Sequence, residues 1–121
     1  MSTPGIADGW VRACRLADLG EDEPVHADIG QCPVCLVRTG GAVYALRDEC
    51  THQAVPLSDG EVTGGAIECW LHGSRFDLAT GRVLSPPATR PVAVFAVRVD
   101  DGDIFVRLGT DGTGEPDRMP G

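Results

Sequence analysis

Positive charge is scarce in this chain: ten arginines, with no lysine at all, face eighteen aspartates and glutamates, a formal net charge of −8 over 121 residues. That balance argues against nucleic acid and anionic lipid as partners, since both are bound through basic surfaces. Long apolar runs are missing too. No stretch approaches the length of a membrane span, and the N-terminal MSTPGIADGW has neither an apolar signal core nor a twin arginine. The expected location is the cytosol, where thiols stay reduced and clustered cysteines hold metal more often than they form disulfides. Cysteine and histidine are few, five and three. There is also no Gly-rich fingerprint for a nicotinamide or flavin.

Glycine and proline, by contrast, are plentiful at sixteen and nine. They punctuate short Val/Ile/Ala-rich runs, which predicts an all-β fold in one domain over 1–121, large enough to bury a core without disulfide staples. Strands are expected at 10–16, 24–29, 32–39 and 42–48, with a helical turn at 16–19 and Gly40-Gly41 as a hairpin turn. Near the other end, 92–100 and 103–108 flank Asp101-Gly102, a strong hairpin signal. The middle differs. Between 49 and 90 the expected strands are shorter (66–70, 75–78, 82–84) and the loops longer, with turns at Gly60, Gly64, Gly65, Gly73 and Gly81. The chain therefore divides into a base sheet, about 10–48 and 91–108, and an insert, about 49–90. Residues 1–8 and 109–121 lack periodicity and read as loose ends.

Four of the eight cysteines and histidines stand in two matched pairs within the insert. Cys50-Thr51-His52 is followed, after sixteen residues, by Cys69-Trp70-Leu71-His72. Each pair offers one thiolate and one imidazole. One zinc held by two cysteines and two histidines is a possible use, but structural zinc fingers group the cysteines on one knuckle and the histidines on a helix. No helix follows here. A cluster of two irons fits better: if one iron takes both thiolates and the other both imidazoles, each loop must supply one ligand to each iron.

That arrangement resembles the Rieske [2Fe–2S] family, in which two histidines replace two cysteines on one iron. The resemblance runs from about 10 to 108. It is carried by Cys50-Thr51-His52, by Cys69-Trp70-Leu71-His72-Gly73, and by Leu84-Ser85-Pro86-Pro87-Ala88, where the family has a proline-rich loop over the cluster. It implies an antiparallel β-sandwich base carrying a small inserted cluster-binding subdomain, and one [2Fe–2S] cluster as cofactor. Cys50 and Cys69 would ligate the buried iron, and His52 and His72 the iron near the surface. Gln53, Gly73, Ser74, Phe76, Pro86 and Pro87 would form the shell around it.

Members from the respiratory and photosynthetic complexes link the two ligand loops by a disulfide. The corresponding positions here are Val55 and Leu71, so no such bridge can form. A freestanding chain of this length also has no room for the mononuclear-iron domain of an oxygenase. The closest resemblance is thus to the ferredoxin component of a multicomponent oxygenase, which is an electron carrier and not itself an enzyme. It implies two partners, a flavin-dependent NAD(P)H-fed reductase and a terminal oxygenase. The alternatives are the small subunit of another redox enzyme, such as a nitrite reductase, and a zinc-bound structural module. High-potential members carry a serine after the histidine-glycine pair and a tyrosine two residues later, both donating to cluster sulfurs. Ser74 keeps the first donor and Phe76 lacks the second, which predicts a potential in the lower half of the family range. Ala54 stands where many relatives have glycine, so a slightly adjusted loop is expected there. The apolar residues around the two histidines, Val55, Pro56, Leu57, Trp70, Pro86 and Pro87, are expected to form an exposed docking patch, with packing against the insert an equal alternative for Trp70.

Three further features read more plainly. Cys32-Pro33-Val34-Cys35 looks like a redox motif, yet residues three apart on a strand point to opposite faces, so both are expected to pack as small apolar groups. Cys14 is read the same way, and His26, alone among apolar neighbours, as a surface residue.

Overall fold

The run Cys32–Thr39 has apolar side chains on both sides of its pleat, and it becomes the strand on which two cores are built. Val34 and Leu36 enter one core, and Cys35 and Val37 the other; all four are fully buried. The computed structural model describes residues 10–51, 55–71, 73–86 and 88–108. Among these it has ten strands and two single-turn 3-10 helices, with no α-helix.

Six strands form one antiparallel sheet: β1 (Trp10–Arg15), β2 (Val25–Ile29), β3 (Cys32–Thr39), β4 (Ala42–Arg47), β9 (Val94–Asp100) and β10 (Asp103–Arg107). Their spatial order is β1-β10-β9-β4-β3-β2. Gly40-Gly41 turns β3 into β4 and Asp101-Gly102 turns β9 into β10, with positive φ at all four positions. The core on one side of this sheet gathers Leu19, Ile29, Val34, Leu36, Ala45, Phe95, Ile104 and Val106.

A four-stranded antiparallel sheet lies between β4 and β9 in sequence: β5 (Glu61–Thr63), β6 (Ala66–Glu68), β7 (Arg75–Asp77) and β8 (Val83–Ser85), in that order. Its apolar side chains Val62, Ile67 and Phe76 join Cys35, Val37 and Leu46 of the larger sheet in the second core. Because neighbouring strands alternate in direction, the β6–β7 connection and the chain leaving β8 fall at the same end of the small sheet. β5 also starts at that end, its first residue Glu61 pairing with Glu68, the last of β6.

Most expected strands are present with ends one or two residues shorter. β5 was not expected, because Glu61–Thr63 offers only one apolar residue, Val62, and a period cannot be read from one point. The 3-10 turn at Leu57–Asp59 was likewise not expected. Its signal lies in Asp48, whose carboxylate accepts from the Ser58 N–H and Oγ, and not in local sequence.

Candidate metal centre

Three loops meet at the shared end of the small sheet. The first runs from the end of β4 to the Leu57–Asp59 turn and carries Cys50; the second joins β6 to β7 and carries Cys69; the third follows β8 and contains Pro86. The two cysteines are buried at 3% and 1% exposure, and both belong to the second core. Each loop is closed by its own backbone. The Cys50 N–H donates to Val55 O at 2.9 Å, the Cys69 N–H to Ser74 O at 2.7 Å, and the Gly73 N–H to Cys69 O at 3.0 Å. Gly73 holds φ +81, a left-handed conformation that a side chain would strain, which explains glycine after the histidine of the second pair.

The third loop is fastened to both others. Ser85 Oγ donates to Gly73 O at 3.2 Å and accepts from the Arg75 N–H at 3.1 Å. The Ala88 N–H donates to Ser74 Oγ at 3.0 Å, and Thr51 Oγ1 donates to Arg90 O at 2.7 Å. Ser74 is 1% exposed. Since its oxygen accepts from Ala88, its own hydroxyl hydrogen remains available to a further acceptor in the same buried space. Phe76, fully buried, stands in the same core as both cysteines.

His52, Gln53, His72 and Pro87 lie outside the described residues, as does Ala54. The donor set that is described fits a soft metal or an iron–sulfur cluster: two buried cysteines on adjacent loops, with no disulfide joining any of the five in the chain. The wall around them is apolar, and among the described residues no buried side-chain N or O lacks a hydrogen-bond partner.

The profile of the Rieske [2Fe–2S] domain matches residues 9–96, most of the chain and both Cys/His pairs. The chain belongs to the Rieske [2Fe–2S] ferredoxin family. It is 37% identical over 99 residues to "Ferredoxin CarAc" of Metapseudomonas resinovorans, an alignment covering 80% of this chain and 92% of that one. It is 36% identical over 100 residues to the anthranilate 1,2-dioxygenase ferredoxin subunit of Burkholderia cepacia, covering 83% and 93%. Among solved structures it matches a chain from the complex of reduced oxygenase and oxidised ferredoxin in carbazole 1,9a-dioxygenase. There the TM-score is 0.77 at 35% identity, with 83% of this chain and 94% of that one covered.

The apolar patch expected around the tip needs correction within this Rieske chain. Leu57 is fully buried: it is the first residue of the 3-10 turn and points into the second core beside Phe76 and Ile67. Val55 is half-buried against that same core. What the surface presents is Trp70, 55% exposed, with Pro56, Pro86 and the unanticipated Leu84 on β8. Among the described residues no helix is long and apolar enough to cross a membrane.

Cys32 and Cys35 contact opposite cores, as strand geometry dictates, and among the described residues no His/Cys/Asp/Glu group gathers to hold a metal around them. Burial, with a smaller contribution from Asp48, pushes the Cys35 thiol far above its usual pKa, so it stays protonated. Cys14 is shifted the same way, chiefly by burial and then by Asp18, against a smaller opposing effect of Arg12. His26 is half-exposed, as a surface residue should be, but it is far from solitary. Its Nδ1 meets Asp48 Oδ2 at 2.6 Å and its Nε2 meets Asp28 Oδ1 at 3.0 Å. No sequence pattern pairs residues 26 and 48; the antiparallel β2-β3-β4 order brings them together.

Proposed function

We propose that this protein is a one-electron carrier, the ferredoxin component of a multicomponent oxygenase. It would hold one [2Fe–2S] cluster through Cys50, His52, Cys69 and His72. It would receive electrons from a flavin-dependent, NAD(P)H-fed reductase and deliver them to a terminal non-haem iron oxygenase. The observation that carries this reading is the convergence of Cys50 and Cys69, both buried, at the shared end of the small sheet, in a chain matched along most of its length by dioxygenase ferredoxins. A bound cluster of this type accepts and gives up single electrons and offers no acid, base or nucleophile for substrate chemistry.

The chain's own residues divide that task. About 49–90 forms the cluster-carrying unit and the six-stranded sheet its base. Ser74 Oγ, already accepting from the Ala88 N–H, keeps its own hydrogen free to donate, and a bond from it to a cluster sulfur would stabilise the more negative, reduced form. Phe76 supplies bulk at the tyrosine position and no donor. Trp70, Pro56 and Pro86, one on each of the three loops, offer a small exposed apolar contact, and the acidic remainder steers encounter with basic partners. Such contacts are small and short-lived.

Stopped-flow electron transfer from the reduced protein to a terminal oxygenase at several salt concentrations tests this. Raising salt should slow encounter, and Trp70→Ala or Pro86→Glu should slow transfer more than charge changes on the distant β9–β10 hairpin. Unaltered rates in the tip variants, with loss of transfer in hairpin variants, would contradict the proposed exit.

A further inference from the structure

Asp48 is one of two buried polar residues among those described, and its carboxylate is wholly covered. It sits where β4 gives way to the first ligand loop, and Ser58 sits where that loop ends. Asp48 Oδ1 accepts from the Ser58 N–H at 2.7 Å, and Oδ2 accepts from Ser58 Oγ at 2.6 Å. These two bonds join the ends of the stretch that contains Cys50 and His52. Asp48's own N–H donates to Pro33 O at 2.9 Å, tying the same point to β3. The Oδ2 atom also meets His26 Nδ1 at 2.6 Å, so a side chain on edge strand β2 supports the junction from the far side of β3.

We propose that Asp48 and Ser58 act as a clasp across the neck of the first ligand loop, with the His26 ring as its support, and that this clasp governs how firmly the cluster is retained. The inference rests on the cluster reading above. A loop that must present a cysteine and a histidine in fixed relation loses conformational freedom in doing so, and bonds between its two ends carry part of that cost. Bonds to a charged acceptor are the stronger kind, and a buried carboxylate left without donors is strongly unfavourable. Ser58, His26 and Asp48 are positioning residues: none is among the proposed ligands.

His26 gives the clasp a signature that a merely structural contact lacks. Two carboxylates face its ring, Asp48 from the end of β4 and Asp28 on its own strand; Cys35, opposite it on β3, is a neutral thiol. The bond to Asp48 raises the ring's pKa above the ordinary 6.5 against the opposing effect of partial burial, and Asp28 adds to the rise. The charged form therefore contributes fully below the unfolded value, and its contribution fades as pH rises through the raised folded value. Above it a neutral ring still donates Nδ1–H to Asp48, but Nε2 then turns a lone pair toward Asp28.

The test follows loss of the visible absorbance of the oxidised, iron-loaded protein under an iron chelator, between about pH 6 and 9 across the histidine range. Wild type is compared with Ser58→Ala and His26→Gln. Ser58→Ala should release iron roughly tenfold faster at every pH, the order expected for losing a hydrogen bond to a charged acceptor. His26→Gln should release faster than wild type at low pH and converge on it at high pH. Ring resonances of His26 should also titrate higher in Ser58→Ala, because Asp48 then has fewer donors competing for its charge. Equal release in Ser58→Ala and wild type would overturn the clasp, as would a His26→Gln ratio that ignores pH. Iron-free wild type would remove the cluster reading and the clasp with it, whereas iron-loaded variants behaving as wild type would remove the clasp alone.

Discussion

Replacing Ser74 by alanine separates two roles that the geometry gives one hydroxyl. Its oxygen accepts from the buried Ala88 N–H at 3.0 Å, which fastens the second ligand loop to the proline loop. Its hydrogen is the donor proposed to reach a cluster sulfur. Without the oxygen, the Ala88 N–H is stranded at a residue 3% exposed, at a cost of about 1–3 kcal/mol for an unsatisfied buried donor. Without the hydrogen, the reduced cluster loses more than the oxidised one. A hydrogen bond to a charged acceptor is worth about 1.5–3 kcal/mol, so roughly 60–130 mV is the ceiling for the fall in a one-electron midpoint. Voltammetry of the intact variant reads the second effect and denaturant unfolding of the same sample the first. A destabilised variant with an unchanged midpoint would show that Ser74 only fastens loops and that the donor argument is wrong.

Phe76→Tyr runs the other way: with the wild-type midpoint expected at roughly −150 to 0 mV within the family range, the new hydroxyl should raise it by up to about 100 mV if it reaches a cysteine sulfur. A wild-type midpoint near the top of that range would contradict the shell argument. Leu57→Ala should lower unfolding stability by about 2–5 kcal/mol, as deletion of a buried leucine does, while Leu57 left at the surface would cost almost nothing. Cys35→Ser should keep the full iron content yet lose roughly 1–3 kcal/mol for the buried hydroxyl, and wild-type Cys35 should resist alkylation until the protein unfolds. Loss of iron in Cys35→Ser would make that cysteine part of the centre after all.

The elements legible in the sequence are those whose signals are local. β3 matches its expected span of Cys32–Thr39, and Gly40-Gly41 and Asp101-Gly102 turn where glycine permits positive φ. The paired spacing of Cys50 with His52 and Cys69 with His72 pointed to the family that the profile match shows. What the sequence hid depends on contacts between distant segments. Leu57 among prolines and a valine looked like part of a surface patch, yet a single 3-10 turn rotates it into the core. That turn is held by Asp48, and Asp48 meets His26 only because β2, β3 and β4 lie side by side. Gly60 shows the same limit. It reads as a turn glycine, but its φ is −93, and a Cβ there would sit 1.9 Å from Glu68 O. Its constraint is close approach of β6, which only the folded chain reveals.

The central claim is the cluster itself, and metal and sulfide analysis of anaerobically purified protein, joined to electron-spin resonance after reduction, tests it most directly. The expected result is about two irons and two acid-labile sulfides per chain, as for a Rieske centre, and a reduced-state signal with average g below the free-electron value. His52→Ala or His72→Ala should lose or degrade that signal. Stoichiometric zinc, colourless protein and no signal would contradict it.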